Sequence, residues 1–334
     1  MVKAKVFIYN KEYEGLPKEG DLILKEEDLP PIEDGEFLAK AVYLSVEPFM
    51  RSSASVVPLG SVLIAFQIAK ILESKNPDFP VDRYVVGFFG CRTYTVANGK
   101  GSMGFLAAHL IPDLEDVPLS YFLGILGTPG NTAYFGFLEV CQPKKGETVV
   151  VSGAAGSIGC IVGQIAKIKG CKVIGIAGSD EKGKWLMDEL GFDDFINYKT
   201  HDLDEVLTQI APNGVDCYFD NVGGKTTAIL IKHMSDGGRI SVCGTMSTYN
   251  EKDGKSFPTS LPLFCFVSKQ IKMEGFLVYK WIDRFPESVQ QNLRWIQEGK
   301  LKYRETVTEG FENMFQAFLG MLQGKNFGKA IVKI

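Results

Sequence analysis

The stretch VVVSGAAGSIG, residues 149–159, decides the reading of this chain: an apolar strand runs into a glycine-spaced loop and then into a helix. Gly153 allows a sharp turn, Gly156 lets backbone amides approach a ligand, and Gly159 permits tight packing of the helix that follows. A loop of this kind at a helix N-terminus suits a pyrophosphate, because unsatisfied N–H groups and the helix dipole both favour negative charge. The spacing is GxxGxxG rather than GxGxxG, so a merely tight turn is the alternative, and the strand-loop-helix context favours dinucleotide binding.

Working outward, SIGCIVGQIAKIKG places Ile158, Ile161, Val162, Ile165 and Ile168 at near-helical spacing, as a helix packed on a sheet requires. ETVVVSG, CKVIGIAG, DFINY, GVDCYFD, GRISVCG and QIKMEGFLVY are strand candidates separated by helical patterns, which predicts a parallel, doubly wound α/β sheet. The first 125 residues are short apolar runs broken by Gly, Pro and Asn and read mainly as β structure. After residue 300 a strand, an amphipathic helix (GFENMFQAFLGMLQ) and a final strand follow, and this tail is expected to rejoin the first domain.

The chain has 334 residues, 45% hydrophobic and 23% charged, enough for two domains with sizeable cores. Its net charge of -4 offers no global attraction for nucleic acid. Seven cysteines without close pairs, and an N-terminus with no apolar leader core, predict a reducing compartment and a cytoplasmic protein. Residues 117–138 carry no charge and approach membrane-spanning length, but Pro129, Gly130 and Asn131 interrupt them, which predicts two buried helical segments joined by a turn. Zinc ligands are scarce: Cys91 and His109 are the only Cys or His before residue 125, and His201 and His233 fall in the doubly wound part, so no metal is expected.

The second strand ends in IAGSDEKGKW, residues 176–185. A ribose-binding acid is expected at its end, yet Gly178 stands there. Asp180 and Glu181 suit the first turn of the next helix, with Ser179 or Asp180 as its cap. Lys182 stands where a cation meets a ribose phosphate, which leans toward NADPH; a solvated surface lysine is the alternative.

The runs EPFMR, GTPGNTAYFG, GQIAKIKGCKVIGIAGSDEK, DCYFDNVGG, CGTMSTYN, EGFENMFQAFLGMLQG and GKAIVK resemble the prostaglandin reductase (leukotriene B4 dehydrogenase) family over nearly the whole chain, with the plant alkenal double-bond reductases as relatives. The resemblance implies a zinc-independent medium-chain reductase: a GroES-like catalytic domain of residues 1–125 and 301–334, and an inserted Rossmann domain of residues 126–300. It assigns NADPH (or NADP) as cofactor, with Gly156, Ser157, Ile158 and Gly159 at the pyrophosphate and Lys182 and Tyr198 at the ribose phosphate. Asn221, the loop Cys243, Gly244, Thr245, Met246, Ser247, Thr248 and Tyr249, then Phe276, Leu277, Val278 and Asn326 complete the implied cofactor site. A homodimer, joined near residues 271–279, is expected from the family.

Without zinc, the natural substrate is already activated, such as an alkene conjugated to a ketone or aldehyde. Hydride goes to the β-carbon, charge gathers on the carbonyl oxygen, and a proton must reach the α-carbon. The family tyrosine expected to donate to that oxygen is absent: Ser268 occupies the matching place in LFCFVSKQIKMEGF, and Phe49 replaces a tyrosine in EPFMR. Three readings follow: Ser268 or Tyr249 takes over, the cofactor hydroxyl and water suffice, or activity is weak. The second ranks highest, because solvent can finish enolate protonation. Phe49, Met50 and Tyr94 are candidate walls of an apolar pocket between the domains for lipid-derived enones such as oxo-prostaglandins and alkenals. Oxidation of leukotriene alcohols with NADP+ is a secondary expectation. The alternatives are a quinone reductase of the same superfamily and an NADPH-binding protein with little catalysis.

Overall fold

The structure is a computed structural model that describes residues 1–101, 106–115, 117–250 and 260–334. It divides into two compact units, residues 1–124 with 305–334 and residues 125–304.

In the first unit β1 (Val2–Tyr9) and β2 (Leu22–Leu29) form an antiparallel ribbon. A seven-stranded mixed sheet comprises β3 (Phe37–Ser45), β4 (Gln67–Ser74), β5 (Tyr84–Gly87), β6 (Tyr94–Ala97), β7 (His109–Leu110), β14 (Glu305–Glu309) and β15 (Lys329–Lys333). Its order is β14-β15-β3-β4-β5-β7, with β6 paired to β3. A short turn of helix, α1 (Phe49–Ser52), follows β3. Helix α9 (Met314–Leu322) buries Met314 and Phe318 in one cluster with Phe7, Tyr9 and Leu44, so chain-terminal residues complete a core begun by the first strands.

The second unit holds the parallel strands β8 (Thr148–Ser152), β9 (Lys172–Ala177), β10 (Asp194–Asn197), β11 (Val215–Asp220), β12 (Met234–Val242) and β13 (Lys272–Gly275). Their order, β10-β9-β8-β11-β12-β13, is the Rossmann order, and its direction reverses between β8 and β11, where such sheets bind ligands outside the strands' carboxyl ends. Around it run α2 (Thr128–Phe135), α3 (Gly159–Ile168), α4 (Asp180–Lys184), α5 (Leu203–Ile210), α6 (Gly224–His233), α7 (Leu263–Lys269) and α8 (Phe285–Gln297). Val150, Ile174, Ile196, Tyr218 and Ile240 are buried in one core cluster of that sheet.

The uncharged run 117–138 forms two helical pieces, but the break falls elsewhere than expected. A 3-10 turn spans Leu119–Leu123, and α2 begins at Thr128 with Pro129 in its first turn and Gly130 and Asn131 inside it. Proline is tolerated there because a first-turn N–H has no intrahelical partner to lose. Among the described residues no helix is long and apolar enough to cross a membrane.

Candidate active site

The glycine loop is as tight as its spacing implies. Gly153 adopts φ +59°, and a side-chain carbon on Gly159 would lie 2.5 Å from the Gly153 carbonyl oxygen, an impossible approach. Beside the loop, at the end of β11, the Asp220 carboxylate is 1% exposed and organises the floor of the site. It accepts hydrogen bonds from Tyr218 OH (2.8 Å), Ser152 Oγ (3.2 Å), the Val222 and Gly223 amides (3.0 and 2.8 Å) and Thr227 Oγ1. Burial, and then the Asp220 charge, push the Tyr218 phenol well above its usual range, so it stays protonated and donates to Asp220. Asn221 in turn gives its backbone N–H to Ser152 Oγ (3.0 Å) and its side-chain amide to the Ser152 carbonyl (2.7 Å), tying β11 to β8 at the switch point.

The loop after β12 folds against the same place. The Cys243 and Gly244 amides donate to the Asp220 carbonyl, and Met246 and Ser247 donate to the carbonyls of Asn221 and Val222. A side-chain carbon on Gly153 would lie 3.3 Å from the Met246 methyl and 3.5 Å from Asn221 Cβ, and one on Gly244 would lie 3.3 Å from the Tyr249 hydroxyl. Gly153, Asn221 and the 243–249 loop are thus one constellation. Burial raises the Tyr249 phenol above its usual range, so it is protonated at neutral pH and available to donate.

At the end of β9, Ser179 caps α4 by accepting the Lys182 amide (3.3 Å), and the Asn197 amide bonds Asp180 (2.7 Å), locking the start of α4 to the end of β10. The Tyr198 ring and Lys199 lie over Gly178: a side-chain carbon there would meet the Tyr198 hydroxyl at 3.1 Å and Lys199 Cε at 3.3 Å. Burial first, then the Lys199 charge, lower the Lys182 ammonium below the ordinary lysine range. A lysine and a phenol over a glycine, with a second lysine close enough to feel the first one's charge, suit a dianionic group, and Ser157 Oγ in the glycine loop is a buried hydroxyl with no protein hydrogen-bond partner. These residues fit an NADPH-type cofactor. Lys199 was not singled out from the sequence; a second lysine after the third strand is the signal that could have found it.

Other expected residues are placed differently. Phe276 is half-buried and packs with Phe219 and Trp281, Val278 is buried, and Leu277 is 77% exposed, so only Leu277 of the three presents its side chain to solvent. Ser268 is exposed on α7, whose neighbouring Lys269 bonds the carbonyls of Lys232 and Met234 at the amino end of β12; the 243–249 loop leaves the other end of that strand. The structure therefore does not bring Ser268 to Tyr249. Asn326 belongs to the first unit and closes a turn by donating to the Gly328 carbonyl (2.8 Å). In that unit Met50 is 1% exposed and part of the core, whereas Phe49 is half-buried, because successive residues of a helical turn point about 100° apart. Tyr94 packs with the β1–β2 ribbon, in a different cluster from Phe49.

Two family descriptions match: "N-terminal domain of oxidoreductase" over residues 5–104 and "Zinc-binding dehydrogenase" over residues 157–298. Among the described residues no group of three or more His, Cys, Asp or Glu is placed to hold a metal ion. Prostaglandin reductase 1 of Bos taurus is 47% identical over 100% of both chains. The 2-alkenal reductase (NADP(+)-dependent) of Nicotiana tabacum is 40% identical over 100% of this chain and 98% of its own. The crystal structure of CurA in complex with NADPH from Vibrio vulnificus superposes with a TM-score of 0.91 at 36% identity, covering 98% of each chain. With one GroES-like β unit, one Rossmann unit and full-length relatives of this kind, the chain belongs to the prostaglandin reductase family of medium-chain reductases.

Proposed function

We propose that this protein reduces the carbon–carbon double bond of α,β-unsaturated ketones and aldehydes, oxo-prostaglandins and alkenals among them, using NADPH. The observation that carries the reading is the Lys182, Lys199 and Tyr198 cluster beside the glycine loop, which suits a ribose phosphate and has no acid in the ribose position. The names of the bovine and tobacco relatives supply the substrate classes. Bound along the glycine loop, NADPH supplies the hydride that goes to the substrate's β-carbon. Asn221 and the 243–249 loop orient the reacting groups, Tyr249 donates a hydrogen bond to the carbonyl oxygen as charge gathers there, and solvent completes protonation at the α-carbon. The test is cofactor consumption by the purified protein with an oxo-prostaglandin, a medium-chain alkenal and a quinone, each with NADPH and with NADH. Turnover of the enones with NADPH alone supports the reading; quinone turnover alone, or NADPH binding without any turnover, overturns it.

The protein works, on this reading, in the cytosol as a homodimer. Strand β13 ends the parallel sheet, and the preceding helix exposes Leu263 (68%), Phe264 (79%) and Val267 (77%), an apolar face next to an open strand edge. The native chain is expected to sediment as a dimer and the Phe264→Asp, Val267→Asp double variant as a monomer. A native monomer defeats the expectation.

A further inference from the structure

The groups gathered around Gly178 come from two chain segments: Lys182 from the first turn of α4, Tyr198 and Lys199 from the turn after β10. Asn197, the last residue of β10, stands between them and is 4% exposed, whereas Asp180, Tyr198 and Lys199 around it are exposed. Its carboxamide works at both ends. The nitrogen donates to the Asp180 carboxylate (2.7 Å) in the first turn of α4, and the oxygen accepts the Lys199 backbone N–H (3.2 Å). One buried side chain is therefore hydrogen-bonded to the residue two before Lys182 and to Lys199 itself.

The main chain at Asn197 is fixed as firmly. It lies opposite Ala177 at the end of β9, the Tyr198 amide donates to the Ala177 carbonyl (3.2 Å), and the Asn197 carbonyl accepts the Thr200 and His201 amides (3.1 and 3.0 Å). On the other side of Lys182, Gly183 is buried against the Phe195 ring, where a side-chain carbon would lie 2.2 Å from the ring. Lys182 is thus flanked by two attachments of α4 to β10, an apolar one at Gly183 and a polar one at Asp180. Only the polar one also reaches Lys199. The two ammonium groups repel one another, so a frame that places them before the ligand arrives spares the ligand part of the cost of ordering them.

We infer that Asn197 is a positioning residue for cofactor selection: bonded to Asp180 at one end of its carboxamide and to the Lys199 amide at the other, it sets the spacing of the two lysines that grip the ribose phosphate and so raises the preference for NADPH over NADH. This role rests on the assignment of Lys182, Tyr198 and Lys199 to that phosphate. The test measures Kd for NADPH and for NADH by fluorescence titration, with thermal unfolding alongside. In Asn197→Leu, which changes no charge, the Kd for NADPH is expected to rise about three- to tenfold, the range for one lost hydrogen bond, and that for NADH less than about twofold. Asn197→Asp is of the same size and keeps an acceptor for the Lys199 amide, but it sets a carboxylate against Asp180 and should weaken NADPH at least as much. Exchanging the two residues, Asp180→Asn with Asn197→Asp, restores both the donor–acceptor pair and the net charge, and should bring the Kd for NADPH back to within about twofold of native. A merely structural role would lower the melting temperature and weaken both cofactors alike. Equal losses for NADPH and NADH, no NADPH-selective loss in either single variant, or an exchange no better than Asn197→Asp alone overturns the role of Asn197. Lys182→Ala separates the two levels. If it leaves the preference for NADPH intact, the phosphate assignment fails and the role of Asn197 with it; if it removes the preference while the Asn197 variants keep it, the role of Asn197 fails alone.

Discussion

Asp220→Ala is expected to lower the stability of the protein by about 3–5 kcal/mol, the range for breaking a buried charged hydrogen-bond network. The carboxylate is 1% exposed and accepts from a tyrosine, a serine, a threonine and two backbone amides. Removing it strands donors that water cannot reach, and each stranded group costs about 1–3 kcal/mol, less than additively because the survivors re-pair in part. For a domain of this size the melting temperature should fall by roughly 6–20 °C. The same change loosens the Asn221–Gly223 turn that braces the glycine loop, so NADPH should rescue less of the lost stability than it adds to the native protein. Asp220→Asn, which keeps one acceptor but turns an amide toward the donors, should fall between. Thermal unfolding with and without NADPH measures all of this, and a loss below about 1 kcal/mol for Asp220→Ala would defeat the argument.

Lys182→Ala is expected to weaken NADPH binding about 10- to 100-fold, as loss of a charge-assisted hydrogen bond to phosphate does, and to change NADH binding less than twofold. The unliganded protein should not suffer, because Lys182 and Lys199 repel one another and both burial and Lys199 lower the Lys182 ammonium. The pH dependence follows in sign. A phosphate beside Lys182 favours its charged form, so binding is coupled to protonation: NADPH affinity is full below the depressed value in the free protein and declines as pH rises through it, earlier than an ordinary lysine would allow. NADH affinity should stay flat over the same interval. Titration calorimetry at several alkaline pH values checks both statements; parallel pH profiles for the two cofactors would refute the assignment of the lysine to the phosphate.

Lys182 could be read from the chain because strand end, cap and lysine are neighbours in sequence: Ser179 caps the helix that begins at Asp180, and the lysine follows within one turn. Lys199 could not, since it reaches Gly178 only because β10 lies parallel beside β9, with Asn197 paired to Ala177. The same limit applied to Tyr249 and Ser268, two candidate donors at comparable sequence distance from the glycine loop. The 243–249 loop is hydrogen-bonded to the β11 turn, whereas Ser268 stands toward the far end of β12.

Local order, then, was written in the chain: the alternation of apolar strands with amphipathic helices, and the glycines whose missing side chains a tight loop demands, rest on neighbours a few residues apart and on hydrophobic periodicity. Contacts between distant segments were not. Asp220 gathers donors from β8, β11 and α6, and Phe49, Phe66 and Phe88 meet from three places along the chain. Which side chains meet depends on strand order and register, and a shift of one residue along a strand would turn its side chains to the opposite face.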